Sequence, residues 1–296
     1  MEKLVSLNDS NVIMINDCIR MPDDIVKKET YYYEGETYRP NWYKYNDTWY
    51  YFKGIDRIEF FINEVLGSMI AKYLNLPTVT YKLAKREFKY DSFYGIMSPN
   101  FKEEKMKYVD GFSIANTKVV NKPSNLKVFK KICWDQENYN SLVNDFLKKC
   151  ALEIYTSQVD GVACNTYFQI NGKKTSLAPL FDYSASFNTL IKNSEYDFTN
   201  IYYSYTYSYP ENLGYKEFMY KYGNFIFTLD IPSKEFTNLT KLYPSFRDSF
   251  FKLLTFNIKE ALDEIEDTYK IVISDRLKGH YIEECNNKNK LLRRVL

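Results

Sequence analysis

Alternating aromatic and polar residues in the first part of the chain predict a β-hairpin. Residues 42–53 read WYKYNDTWYYFK, in which two runs of strong β-formers flank the turn-forming pair Asn46 and Asp47. The second run ends at Lys53. The pattern therefore places a lysine at the end of a sheet strand.

A helical period follows the hairpin. From Ile58 to Tyr73 the apolar residues recur at spacings of three and four, which marks one apolar face of a helix. Asp56 precedes this stretch and has a side chain suited to the N-cap. Glu64 lies in the middle of the predicted helix, beside the apolar stripe.

Two further strands complete the first part of the chain. They are predicted at Thr78–Ala84 and Ser92–Met97, with a charged turn over Lys85–Asp91 between them. The charged stretch after the last strand favours a lobe boundary. We therefore expect a first lobe over residues 1–102, with a small antiparallel sheet and one helix, and a second lobe over residues 103–296.

The second lobe is predicted to be mainly helical. A helical period covers residues 137–159, and the pattern is again mostly helical from about residue 212 to 290. Between these stretches, Asn171 and Gly172 separate two β-prone runs, which is a strong hairpin signal. Together these elements predict an α+β fold.

The composition narrows the possible chemistry. The 296 residues carry a formal net charge of +2 and include 10 glycines and a single histidine, His280. The glycine spacing excludes GxGxxG, the Walker A loop and GxSxG. One histidine cannot build a His-rich zinc site, so acid–base chemistry is expected to use carboxylates. The near-neutral charge argues against nucleic-acid binding without a partner.

The cysteines and apolar runs favour a cytoplasmic protein. The 5 cysteines are scattered and form no CxxC motif, which is typical of reduced thiols. The first residues lack the apolar region of a signal peptide. The chain contains no run of about 18 apolar residues, the length that a membrane span requires, so we expect no membrane association.

Three oxygen-bearing side chains follow the helix predicted before residue 160. Four residues separate Asp160 from Asn165, and the predicted hairpin returns the chain to Asp182. We expect their oxygens to converge at the open end of the hairpin, where they suit Mg²⁺ held with substrate phosphates. Lys53 is then placed to contact the phosphates, and Glu64 to orient the lysine. These parts follow the order found in protein kinases.

The same segments resemble HipA-like kinases, the bacterial serine/threonine kinases of toxin–antitoxin systems. Asp160-Gly-Val-Ala-Cys-Asn165 looks like the catalytic loop of that family, and Pro179-Leu-Phe-Asp-Tyr-Ser-Ala-Ser186 looks like its metal-binding motif. Upstream, Tyr50–Lys53 and Tyr94–Phe101 resemble the nucleotide-binding lobe of its short members. The resemblance covers about residues 38–187 and continues loosely to the end of the chain.

The resemblance implies a bilobal, protein-kinase-like fold and Mg²⁺/ATP-dependent transfer of the γ-phosphate to a Ser or Thr hydroxyl of a protein substrate. It makes Asp160 the catalytic base, and it places Asn165 in the catalytic loop. Asn165 and Asp182 are the Mg²⁺ ligands that it implies. Lys53 binds the ATP phosphates with Glu64 as its partner. The resemblance also opens the option of an antitoxin-like partner protein.

Several of these features have a second interpretation. Lys44 on the paired strand competes with Lys53 for the phosphate role, and Glu64 is equally typical of a solvated helix face. Tyr202–Tyr209 fits either a half-buried strand or a substrate-facing activation segment. One alternative for the whole chain is a pseudokinase that binds nucleotide without turnover, which the glycine-poor stretch Thr30–Arg39 favours. Another is a lipid or small-molecule kinase of related fold.

Overall fold

The computed structural model describes residues 5–7, 11–22, 31–33, 36–38, 41–55, 57–102, 106–111, 139–158, 165–187 and 240–296. Asp56, Asp160 and Tyr202–Tyr209 lie outside these ranges. The strands are β1 Val5–Leu7, β2 Ile13–Met14, β3 Ile19–Arg20, β4 Tyr31–Tyr33, β5 Glu36–Tyr38, β6 Trp42–Tyr45, β7 Thr48–Gly54, β8 Lys82–Glu87, β9 Ser92–Pro99, β10 Lys107–Asp110, β11 Tyr167–Asn171, β12 Lys174–Leu177 and β13 Ile271–Ile273. The helices are α1 Glu59–Tyr73, α2 Tyr139–Tyr155, α3 Pro244–Leu253, α4 Ile258–Tyr269 and α5 Asp275–Val295.

The largest sheet in the described ranges has six strands in the order β2-β8-β9-β7-β6-β3. Neighbouring strands are antiparallel except β2 and β8, which run parallel. The predicted hairpin is confirmed as β6 and β7, and its turn residues Asn46 and Asp47 adopt φ angles of 45° and 62°. Positive φ at both positions matches the twist of a two-residue hairpin, and Asn and Asp tolerate it well.

Strand β8 begins later than the sequence pattern predicts. The prediction was a strand over Thr78–Ala84 and a charged turn over Lys85–Asp91, but β8 spans Lys82–Glu87. The charged residues stay in the strand because β9 pairs with them along their whole length. The Nζ of Lys85 also lies 5.8 Å from the centre of the Tyr94 ring, which favours a cation in this position.

The first residues of that predicted strand pair with a distant part of the chain. Thr78 forms a parallel bridge with Leu180, and the N–H of Val79 donates to the Leu180 carbonyl over 3.1 Å. The N–H of Leu180 in turn donates to the Pro77 carbonyl over 2.9 Å. This short pairing holds residues 180–187 against the first part of the chain.

The two faces of the six-stranded sheet have different environments. Phe52 and Met97 belong to a small aromatic-rich core on one face. Lys53 is the next residue along β7, and it projects to the opposite face because side chains alternate along a strand. Its cross-strand partner Ile96 belongs to the main core, which includes α1. Lys53 therefore lies on the helix-covered face.

The second part of the chain combines helices with a smaller sheet. The helix predicted over residues 137–159 is α2, and it packs against α3 and β12. The hairpin predicted at Asn171 and Gly172 is confirmed as β11 and β12, with a φ of 59° at Gly172. Strand β10, which the sequence pattern did not indicate, adds a third antiparallel strand beside β11.

A strand near the start of the chain pairs with a strand that precedes the last helix. β1 pairs antiparallel with β13, with Val5 opposite Ile273. One continuous core joins α1 to α2, α3, α4 and α5.

The chain is α+β as predicted, whereas the lobe boundary at residue 102 stays a prediction. Among the described helices, none combines the length and the apolar character that crossing a membrane requires.

Candidate functional site

An ion pair joins strand β7 of the six-stranded sheet to the segment that follows the β11–β12 hairpin. The Nζ of Lys53 lies 2.7 Å from Oδ1 of Asp182. The two side chains are 43% and 24% exposed, so solvent reaches both members of the pair. The structure thus brings together two of the residues that the sequence assigns to phosphate and metal binding.

Ser184 completes a triangle with this ion pair. The Nζ of Lys53 donates to Oγ of Ser184 over 3.2 Å, and the Ser184 hydroxyl donates to Oδ1 of Asp182 over 3.1 Å. A hydroxyl can donate and accept at once, so Ser184 fixes both charged groups. Its role was not predicted from the sequence, although it lies in the segment Pro179–Ser186 that resembles the metal-binding motif.

The surroundings of Asp182 keep its carboxyl ionised. Burial raises the pKa of Asp182, but the ammonium of Lys53 and the hydrogen bonds from Lys53 and Ser184 outweigh burial. The pKa therefore lies below its usual range. An ionised carboxylate beside a hydroxyl presents the hard oxygen atoms that Mg²⁺ prefers.

Glu64 is buried in the same cluster and is not a solvated helix-face residue. Its side chain accepts the N–H of Tyr183 at Oε2 over 2.6 Å, and the residue is 2% exposed. Burial, followed by the charge of Asp182, raises the pKa of Glu64 to about 8, although the nearby ammonium of Lys53 opposes the rise. Glu64 is thus mainly protonated at neutral pH and fixes the backbone beside Asp182.

Tyr81 holds the preceding peptide unit, between Phe181 and Asp182. The N–H of Asp182 donates to the Tyr81 hydroxyl oxygen over 3.0 Å, and the Tyr81 hydroxyl also bonds to the Glu64 carboxyl. The Nε2 of Gln158 donates to the Asp182 carbonyl over 2.6 Å. Asp182 has a φ of 64°, a left-handed conformation that costs free energy for most residues, and these bonds hold it there.

A glycine in helix α1 allows residues 180–187, the Asp182 segment, to lie directly on the helix. A Cβ atom added to Gly67 would come within 2.4 Å of Cγ of Tyr183, so only glycine fits beneath this ring. Tyr183 is buried, and burial raises the pKa of its hydroxyl above the usual range. A glycine inside an amphipathic helix of a glycine-poor chain was the sequence signal that could have indicated this close approach.

The predicted catalytic loop is described only at its end. Asn165 is separated from β11 by Thr166, whereas Asp160 lies outside the described residues. The Tyr167 ring is 5.7 Å from the Phe181 ring, so the start of β11 lies beside the residue that precedes Asp182. Among the described residues, no group of three His, Cys, Asp or Glu side chains forms a candidate metal site. A metal here would need the amide of Asn165 or oxygen atoms of the substrate.

The comparison with solved structures confirms the predicted kinase-like fold. The proinflammatory kinase CtkA of Helicobacter pylori superposes with a TM-score of 0.61 at 16% sequence identity, over 96% of this chain and 96% of that chain. HipA of a Shewanella oneidensis MR-1 toxin–antitoxin system, solved with HipB and operator DNA, gives a TM-score of 0.48 at 10% identity, over 98% of this chain and 73% of that chain. No protein-family model and no curated protein matches the sequence.

Proposed function

We propose that this chain is an Mg²⁺/ATP-dependent kinase that transfers the γ-phosphate to a Ser or Thr hydroxyl of a protein. The observation that carries the proposal is the pairing of Lys53 with an ionised Asp182 at 2.7 Å, within a fold that is shared with a kinase. Phosphoryl transfer depends mainly on a cation at the phosphates and on carboxylates for the metal, and this cluster supplies one of each.

The described donors fit a nucleotide with its metal ion. The ammonium of Lys53 suits phosphate oxygens, and the Asp182 carboxylate suits Mg²⁺, with the Asn165 amide as a second ligand. The metal, when bound, would neutralise charge on the phosphates. Glu64 is not a ligand in this proposal, because its buried carboxyl already bonds to the Tyr183 N–H, the Tyr81 hydroxyl and the Asp182 side chain.

The existing ion pair implies an exchange of partners on nucleotide binding. Without ligand, Lys53 and Asp182 neutralise each other. With ligand, Lys53 exchanges a carboxylate oxygen for phosphate oxygens, and Asp182 exchanges the ammonium for the metal. Each group keeps an opposite charge throughout, so the exchange avoids the cost of leaving a partly buried charge unpaired.

Asp160 supplies the catalytic base in this proposal. The single histidine of the chain, His280, is buried with its Nε2 2.7 Å from the Phe187 carbonyl, which gives it a structural contact instead. A carboxylate that accepts the proton of the attacking hydroxyl is therefore the simplest base. Asp160 is the aspartate that the resemblance places in that role.

Transfer of labelled phosphate tests the assignment directly. The chain is incubated with γ-labelled ATP, Mg²⁺ and a panel of proteins, and Asp160→Asn should abolish transfer while ATP with Mg²⁺ still raises the Tm. Asp145→Asn is the matched control, because Asp145 forms an i,i+3 ion pair with Lys148 on helix α2. Undiminished transfer by Asp160→Asn would overturn the proposal.

A pseudokinase that binds nucleotide without turnover is the second candidate. The glycine-poor stretch Thr30–Arg39 favours it, because a loop that closes over phosphates normally uses several glycines. A rise in Tm with ATP and Mg²⁺, without transfer to any substrate, would identify it. Replacing the protein panel with lipids and small molecules distinguishes the remaining kinase classes. The protein substrate and an antitoxin-like partner follow only from the sequence resemblance and stay predictions.

A further inference from the structure

A buried hydrogen-bond relay links the C-terminal helix to the Asp182 segment. The hydroxyl of Tyr281 in α5 donates to Oδ1 of Asn63 in α1 over 2.8 Å. The Nδ2 of Asn63 donates to the carbonyl of Ser184 over 2.7 Å and to that of Ser186 over 3.0 Å. Tyr281 and Asn63 are both 0% exposed, so water cannot replace these bonds without opening the core.

Helix α5 makes a second contact with the same segment. The Nε2 of His280 lies 2.7 Å from the carbonyl oxygen of Phe187, and the Phe187 ring packs edge-on against the Tyr281 ring at 5.4 Å. The N–H of Phe187 donates to the Thr156 carbonyl over 2.6 Å. Two consecutive residues of α5 thus contact the end of the segment whose start carries Asp182.

The chemistry of the relay fixes the orientation of the Asn63 amide. Both of its amide hydrogens are needed for the two carbonyls of the segment, so its oxygen must face the opposite way. The Tyr281 hydroxyl meets that oxygen as a donor. Without this donor, a flipped amide would direct its oxygen at the Ser184 carbonyl and lose both bonds.

Asn63 and Glu64 together hold the backbone on both sides of Ser184. Glu64 accepts the N–H of Tyr183, and Asn63 donates to the carbonyls of Ser184 and Ser186. Asp182 directly precedes this fixed stretch. A displacement of about 1 Å in a catalytic group can cost about a hundredfold in rate, so the fixed stretch decides how well Asp182 is placed.

We propose that Asn63, oriented by Tyr281 of helix α5, is a positioning residue that sets the placement of the Asp182 carboxylate. The proposal rests on the proposed function in so far as Asp182 is taken as a metal ligand. It makes the attachment of α5 a condition for an ordered site. A change in α5 that moves Tyr281 would then act on the site without any contact between α5 and the ligand.

Hydrogen exchange tests the positional part of the proposal without any assay of activity. In Tyr281→Phe, the amides of residues 182–187 should exchange about fivefold faster, as expected for the loss of about one buried hydrogen bond. Exchange in β9 should stay unchanged. Tyr73→Phe is the matched control, because Tyr73 is the last residue of α1 and its hydroxyl bonds to Oγ1 of Thr255 and not to Asn63. Unchanged exchange at 182–187, or an equal rise in β9, would overturn the proposal.

A double-mutant cycle shows whether Tyr281 acts through Asn63. Asn63→Leu alone should accelerate exchange at residues 182–187 more than Tyr281→Phe does, because it removes both bonds to the segment. Adding Tyr281→Phe to Asn63→Leu should then change exchange little, whereas additive effects would refute the relay. If the Asn63→Leu chain does not fold, the comparison of Tyr281→Phe with Tyr73→Phe still decides.

The dependence of transfer on Mg²⁺ links the relay to the site. Tyr281→Phe should raise the KM for Mg²⁺ about fivefold and change the KM for ATP by less than twofold, because Lys53 lies on a different element. Equal changes in both constants would refute a role through Asp182. If the unaltered chain transfers no phosphate, the proposed function fails, whereas the exchange experiments still judge the relay by themselves.

Discussion

The Nζ of Lys53 lies 2.7 Å from Oδ1 of Asp182, although 129 positions separate the two residues in the chain. The contact joins the end of strand β7, in the six-stranded sheet, to the segment after the β11–β12 hairpin. Ser184 bonds to both groups, and Glu64 and Tyr81 hold the backbone of the segment. The surrounding hydrogen bonds therefore hold the ion pair in place.

Replacing Lys53 should show that Lys53, and not Lys44 on the paired strand, contacts the ATP phosphates. Lys53→Met should lower phosphoryl transfer about a hundredfold or more and abolish the rise in Tm with ATP and Mg²⁺. The free energy of unfolding should fall by only about 1 kcal/mol, because the ion pair is partly exposed.

Lys44→Met provides the control for this prediction. Lys44 forms an i,i+3 ion pair with the exposed Asp47 at 2.9 Å, so its loss should leave transfer and stability unchanged. Labelled-ATP transfer and thermal unfolding measure both variants. Equal losses in the two variants would contradict the assignment of Lys53.

Gly67 should not tolerate even one added methyl group. In Gly67→Ala the new Cβ would lie 2.4 Å from Cγ of Tyr183, so the Asp182 segment must move away from helix α1. We expect a loss of about 1–3 kcal/mol in unfolding free energy, measured by chemical denaturation, together with weaker binding of ATP and Mg²⁺.

Gly279 is the matched glycine for this test. It also lies inside a helix, α5, but an added Cβ would meet nothing within 4 Å. Gly279→Ala should therefore stabilise the chain by up to about 1 kcal/mol, since alanine favours the helix. If both changes stabilise the chain, the contact between Tyr183 and α1 is not as close as described.

The sequence predicted the local elements well because their signals are local. The Asn46–Asp47 turn, the period of α1 and the Asn171–Gly172 turn each need only neighbouring residues, and all three are confirmed. Lys53 could be placed at a strand end for the same reason.

Contacts between distant segments could not be predicted in this way. Tyr81 bonds to the N–H of Asp182 from 101 positions away, and Asn63 reaches Ser184 from 121 positions away. The pairing of β1 with β13 also depends on how the whole chain packs. The sequence contained these residues but no pattern that linked them, because hydrophobic period reports burial and not the identity of the partner.

Glu64 should make the stability of the metal-free chain fall as pH rises. Its usual pKa of 4.5 is raised by burial, and next by Asp182, to about 8 in the folded chain. The folded state therefore holds the proton more tightly. The contribution is fully present below pH 4.5 and is lost as pH rises to about 8, on the order of 5 kcal/mol in total.

Glu64→Gln removes this titration and keeps the hydrogen bond. The glutamine carbonyl can still accept the N–H of Tyr183, and it stays neutral at every pH. Between pH 5 and pH 8 in EDTA, the unfolding free energy of the variant should thus fall less than that of the unaltered chain. His280 titrates equally in both proteins and cancels in the difference. Parallel curves for the two proteins would show that Glu64 ionises normally.

The Ser184 hydroxyl should matter for transfer more than for stability. Ser184→Ala removes one donor to Oδ1 of Asp182 and one acceptor for Nζ of Lys53, but it leaves the ion pair in place. Hydrogen bonds to charged groups contribute about 1.5–3 kcal/mol, so we expect transfer to fall about tenfold with a higher KM for Mg²⁺.

Ser176→Ala is the control, because the Ser176 hydroxyl accepts only a hairpin bond from Gln169 in the contacts described. Because the site is partly exposed, water can occupy the space of the missing hydroxyl, and the Tm of Ser184→Ala should stay close to that of Ser176→Ala. Unchanged transfer and an unchanged Mg²⁺ dependence would show that the triangle of Lys53, Asp182 and Ser184 is not part of the active arrangement.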